Sequence, residues 1–179
     1  MKRILVATSA QKILDLLIQD PGTQYLSGEI RKATKTSKAG TNLALRQLVN
    51  TRLLKREKRG KVYLYSVEFS HPVVRQLKVL RTVVSLFQLT LRLSGVATRI
   101  VLYGSSGRGE DTRNSDIDLF VVANSREAVS KFAKKYPITK KIQLTIKTPL
   151  EHEEMQRTDP TFYGEVERGI VLWESRDES

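Results

Sequence analysis

Gly104-Ser105-Ser106-Gly107-Arg108-Gly109-Glu110-Asp111-Thr112-Arg113-Asn114-Ser115-Asp116-Ile117-Asp118 is the stretch on which the reading of this chain turns. A short apolar run, Ile100 to Tyr103, leads into it, and Asp116 to Val122 carries it out as a second strand. Gly104 lets the backbone approach a ligand closely, and Ser105, with Ser106 beside it, adds hydroxyl to amide donors. Such a turn can cradle phosphate oxygens. Asp116 and Asp118 alternate with Ile117 and Leu119, so both carboxylates share one strand face. That spacing suits them to hold Mg²⁺ or Mn²⁺ against the phosphates of a nucleoside triphosphate.

Working outward, strand and helix signals alternate from Arg99 to the end. Ser125 to Tyr136 reads as a helix, Lys141 to Lys147 as a strand, Pro149 to Gln156 and Thr161 to Arg168 as helices, and Ile170 to Trp173 as a closing strand. About eighty residues of this kind make a small but viable α/β domain. Phe162, Tyr163 and Trp173 suit its core better than a base-stacking platform. His71 and His152 have no partner at metal-ligand spacing.

These residues resemble the minimal nucleotidyltransferases, small relatives of DNA polymerase beta. That family's signature is Gly-Ser, ten residues, then Asp-x-Asp, and residues 104 to 118 have that spacing. The resemblance covers residues 96–175 and implies a mixed sheet. It makes Asp116 and Asp118 the metal ligands and catalytic acids, and Gly104, Ser105 and Ser106 a nucleotide cradle. Arg108 and Arg113 either contact triphosphate oxygens or balance Glu110 and Asp111 as solvated loop cations. Active members of the family carry a third carboxylate on the neighbouring strand. Here that strand is Lys141-Ile142-Gln143-Leu144-Thr145-Ile146-Lys147, with Gln143 and Thr145 where the acid should project. Its absence makes transfer activity doubtful, and the substitutes within reach in sequence are Glu151, Glu153 and Glu154.

The other half differs in charge. The chain has 179 residues and a net charge of +12. Residues 1–70 hold 14 Lys/Arg against five Asp/Glu, whereas residues 100–179 hold 12 against 14. A basic module beside a near-neutral one points to a polyanionic partner for the first alone. Its apolar spacing predicts helices at about residues 9 to 19, at Ser27 to Ala33 with Ser27 as N-cap, and from Thr36 or Ser37 to Thr51. The period then changes to two: Leu53 to Glu57 and Val62 to Ser66 read as strands joined by Lys58-Arg59-Gly60-Lys61.

Three helices followed by a basic hairpin resemble the winged helix-turn-helix domains of prokaryotic transcription regulators. The resemblance places the third helix in the major groove of duplex DNA and the wing on the backbone. Lys38, Asn42 and Arg46 are then candidates for base edges or nearby phosphates, and Lys55, Lys58, Arg59 and Lys61 for phosphates. Leu43 points away from the apolar face of that helix and fits the pattern poorly.

The fold class expected is α+β: a winged helix-turn-helix over residues 1–70, a linker helix over 71–95, and the nucleotidyltransferase-like domain over 96–175. The linker, Val73 to Leu93, offers a contact for a homodimer. No cysteine is present, so disulfides and thiolate metal sites are excluded. The opening run Ile4 to Ala7 is too short for a signal-peptide core, and the apolar stretch Val79 to Val96 is interrupted by Arg81 and Arg92. The plain expectation is a cytoplasmic protein with no membrane partner. Two functions follow: a DNA-binding regulator that holds metal-nucleotide, or an enzyme that adds AMP to a partner protein, a HEPN-type toxin, as minimal nucleotidyltransferases do. An RNA-gripping enzyme ranks below both, since the chain lacks the large helical region of tRNA-end enzymes.

Overall fold

The computed structural model describes residues 7–175. The run that opens at Ile4 and the tail after Ser175 lie outside the described residues. The chain divides into two compact units between Lys78 and Val79.

In the first unit, α1 spans Ser9–Leu17, β1 Tyr25–Leu26, α2 Ser27–Thr34, α3 Lys38–Asn50, β2 Leu54–Arg59 and β3 Val62–Val67. Thr8 starts α1 with a capping box: its hydroxyl accepts from the Gln11 amide, and the Gln11 side chain accepts from the Thr8 amide. At α2 the cap is Leu26, not Ser27. Its amide donates to the Glu29 carboxylate at 2.7 Å, and Ser27 is already helical. Ser37 caps α3 by accepting from the Gly40 amide. Between α2 and α3, Lys35 takes a left-handed conformation (φ 53°), and the hydroxyls of Thr34, Thr36 and Thr41 form a chain at 2.9 and 2.8 Å. The three strands pair antiparallel in the order β1-β3-β2. The two-residue β1 has no period long enough to read from sequence. Ile13, Leu17, Ile30, Leu45, Leu48, Leu54 and Val67 form the core.

A helix, α4, spans Pro72–Leu93, and the unit boundary falls within it. In the second unit β4 is Arg99–Tyr103, α5 Gly104–Arg108, β5 Ile117–Val122, α6 Arg126–Lys134, β6 Ile142–Lys147, α7 Pro149–Thr158, α8 Pro160–Glu167 and β7 Ile170–Glu174. The sheet order is β6-β5-β4-β7, with β5 parallel to β6 and the other pairs antiparallel. The sheet is therefore mixed, as expected.

Both faces of this sheet are covered, which explains the near-continuous apolar runs of β4 and β5. On one face Ile100, Leu102, Leu119 and Val121 pack with Leu86, Leu89 and Leu93 of α4 and Val129 of α6. On the other, Val101, Tyr103, Phe120 and Val122 pack with Met155 of α7 and Val166 of α8. Phe120 and Leu102 are fully buried, each contributing about 1.5–3 kcal/mol by removal from water. No helix among the described residues is long and apolar enough to cross a membrane.

Candidate functional site

β4 ends and β5 begins at one edge of the second unit, with Tyr103 opposite Asp118. Alternation puts Asp118 on the sheet face of Phe120 and Val122, the face that α7 and α8 cover. Asp116 stands just before β5. Gly104 opens α5 at φ +66°, and a Cβ there would lie 2.5 Å from Oδ2 of Asp118. Any other residue would fill the space beside that carboxylate and be strained in doing so. The bend and the acid thus form one feature.

The serines divide. Ser105 is half-exposed beside the bend. Ser106 is fully buried, and its hydroxyl donates to the carbonyl of Asp116 at 3.2 Å. The Ser106 side chain thus fastens α5 to the start of β5.

Charge is concentrated here. Burial holds the Asp118 carboxyl above the usual range, reinforced by Asp116 and Glu165 and opposed by Arg108. Nζ of Lys141 lies 3.3 Å from Oδ2 of Asp116. Arg108 spans Glu110 at 2.9 Å and Glu165 at 3.6 Å. Its pairing with Glu110 matches the charge-balancing reading of this arginine, while its field still reaches Asp118. Arg113 is exposed in the loop before β5. Lys140 anchors that loop through the buried Asp111 and the carbonyl of Thr112.

Gln143 sits opposite Asp118 on the parallel strand β6, and Thr145 bonds Tyr103 Oη at 3.1 Å. Neither replaces an acid. Glu151 is spent elsewhere: it closes the capping box of α7 with Thr148 and pairs with Arg126 at 2.6 Å. Glu153 and Glu154 are exposed on α7. The acid whose charge reaches Asp118 is Glu165 of α8, which the sequence reading did not consider. Its neighbour Val166 is buried against the sheet, which seats this helix on the face of Asp118. Phe162 meets Tyr103 edge-on at 5.6 Å and Phe120 at 6.1 Å, so it is core. No group of three or more His, Asp or Glu among the described residues is placed to hold a metal.

Residues 84–160 match the nucleotidyltransferase domain family. The second unit carries a nucleotidyltransferase-fold domain. A solved structure from Sulfolobus solfataricus, assigned by inference as a nucleotidyltransferase, is similar to the chain at 17% identity. It covers 59% of this chain and 90% of its own, with a TM-score of 0.39, a likeness that supports no argument. No curated protein matches the chain.

Nucleotidyltransferase domains generally use a divalent metal with a nucleoside triphosphate. The donor set in this nucleotidyltransferase-fold domain fits such an ion: two hard carboxylates, one of them packed directly against the Cα of Gly104. Mg²⁺ is commonly held by one or two carboxylates, with phosphates and water completing the shell.

The first unit places its candidate residues differently. Lys38, Asn42 and Arg46 are exposed along α3, and Lys58 and Lys61 at the β2–β3 turn. Lys55 is ion-paired to Glu68 at 2.7 Å and Arg59 to Glu57 at 2.9 Å. Arg56 lies over the Tyr63 ring at 4.8 Å.

Proposed function

We propose that this chain is a DNA-binding, transcription-regulator-like protein whose nucleotidyltransferase-fold domain binds a nucleoside triphosphate with Mg²⁺ or Mn²⁺. The observation that carries the nucleotide reading is the closure of Gly104 on Asp118, with Asp116 beside it. Asp116 is met by Lys141 at 3.3 Å, whereas Asp118 is raised by burial and by its acidic neighbours, with only Arg108 opposing them. A bound divalent ion would neutralise charge on the phosphates. Asp116 and Asp118 would hold it, Gly104 and Ser105 would admit the phosphate oxygens, and Arg108 and Arg113 would flank them.

The DNA reading is supported by the element order of the first unit: helix, strand, helix, helix, then a two-stranded basic hairpin. That is the winged-helix order, and residues 1–70 supply the charge with 14 Lys/Arg against five Asp/Glu. A second reading, transfer of AMP to a partner protein such as a HEPN-type toxin, is favoured by one observation. The charge of Glu165 on α8 acts on Asp118, and Glu165 pairs with Arg108 at 3.6 Å, so it is a candidate for the carboxylate that β6 lacks. It would accept the proton of an attacking hydroxyl.

One experiment separates the readings. The protein is incubated with each labelled NTP and Mg²⁺ or Mn²⁺, alone and with duplex DNA or a candidate partner protein. Nucleotide retention without transfer, lost in Asp116→Ala/Asp118→Ala, supports the regulator. Label moving to the partner, lost in the same variant, supports the enzyme. Retention unchanged in that variant would reject the site itself.

A further inference from the structure

Leu43 is 71% exposed on α3, more than the other exposed large hydrophobic side chains among the described residues. It lies opposite the helix face that buries Thr41, Ala44, Leu45 and Leu48. At roughly 100° per residue, Ala39, Gly40, Arg46, Gln47 and Asn50 fall within about 60° of it around the axis. The outer face of α3 is thus an apolar strip, Ala39 and Leu43 one turn apart, bordered by long polar side chains. Among the described residues Asn42, Arg46 and Gln47 make no side-chain hydrogen bond or ion pair, so their donors are uncommitted. Small Ala39 in the first turn leaves the helix thin where it would enter a groove, whereas Gly40 packs against Ser9 of α1.

We infer that Leu43, with Ala39, packs against the C5-methyl groups of thymines in the major groove, so that this strip sets the sequence preference of α3. The inference rests on the DNA-binding reading above. Net positive charge in the first unit selects a polyanion as the occupant. A protein partner would leave Asn42, Arg46 and Gln47 to be desolvated against apolar surface, whereas base edges offer them acceptors and donors. In the major groove only thymine presents a methyl group, and apolar side chains read it by contact. Arg46 and Gln47, one helical turn beyond Asn42 and Leu43, reach neighbouring base edges. An unpartnered leucine in the middle of a polar face then has a function.

The test uses the full chain. A preferred duplex is first selected from a random pool, and its affinity is measured at fixed salt with each thymine replaced in turn by uracil, which removes only the methyl. The wild-type protein should lose roughly fourfold in affinity for each contacted methyl, the transfer value of one methyl-sized group. Leu43→Ala should be indifferent to the same replacement, while retaining its affinity for random duplex and the salt slope of that binding. Arg46→Ala serves as a contrast: it should weaken the selected site yet keep the methyl sensitivity. Equal responses of wild type and Leu43→Ala to every uracil would overturn the inference and leave DNA binding intact. Loss by Leu43→Ala of all duplex affinity would overturn it too, as would a wild-type protein that selects no thymine. A chain with no duplex affinity at any salt would remove the DNA reading and this inference together.

Discussion

The two units handle charge in opposite ways. In the first, Lys38, Arg46, Lys58 and Lys61 stand exposed on α3 and the β2–β3 turn. In the second, Arg99, Arg108, Arg126, Lys140 and Lys141 are each paired to a carboxylate, and burial beside Asp116 and Glu165 holds the Asp118 carboxyl above its usual range. Scattered cations attract any polyanion and position it loosely. Acids crowded against a glycine raise the free energy of the fold, a cost that a bound cation would relieve. The first is a surface, the second a site.

The largest expected effect belongs to the site. If Glu165 accepts the proton in a transfer reaction, Glu165→Gln should lower the rate by about 10²–10⁴-fold while nucleotide affinity changes little. A parallel loss of binding would instead make Glu165 an anchor for Arg108. For the surface, duplex affinity should fall roughly 10³-fold between 50 and 200 mM salt if about six phosphates are neutralised. Lys58→Ala and Lys61→Ala should each reduce the slope by about one. A flat salt response would abolish the contrast between the units.

Next in size, Asp118→Ala should weaken Mn²⁺-nucleotide binding by about 100-fold or more, read by calorimetry, with duplex binding unchanged. Asp118→Asn adds a sharper point. It removes a carboxylate held against burial and two acidic neighbours, so the metal-free protein should melt at a higher temperature near neutral pH. An unchanged or lower melting temperature would show that the acids do not strain the fold.

The smallest effect concerns His152, packed between Phe120 and Tyr163. Burial holds its imidazole below the ordinary range, aided by Arg99 and opposed by Glu167, Glu153 and Glu174. The unfolded chain therefore takes up this proton more readily than the fold, and stability is lost as pH falls through the imidazole range. His152→Phe should flatten that part of the melting-temperature profile. A slope that persists in the variant would assign it to other groups.

Much of this was legible in the sequence because the signals were local. Strands, their order and the Gly-Ser to Asp-x-Asp spacing are set within a few residues, and helix ends shifted only slightly: α1 closes at Leu17 because Ile18 caps it. What escaped depended on elements meeting from far apart in sequence. The charge of Glu165 acts on Asp118 because α8 lies on the face to which Asp118 points. Ser106 reads as a ligand-facing hydroxyl until burial turns it to the backbone of Asp116. Leu43 looked like a flaw in an amphipathic pattern until its exposure placed it at the centre of the outer face.

Lys141 has a consequence of its own. Its ammonium group, on a largely exposed side chain, sits 3.3 Å from Asp116, while the Lys141 carbonyl accepts from the amide of Ile117 and cannot follow it away. A cation bound at Asp116 would have to displace this tethered ammonium. The freed group, still held by its backbone, would then stand beside the bound ion as a second positive charge.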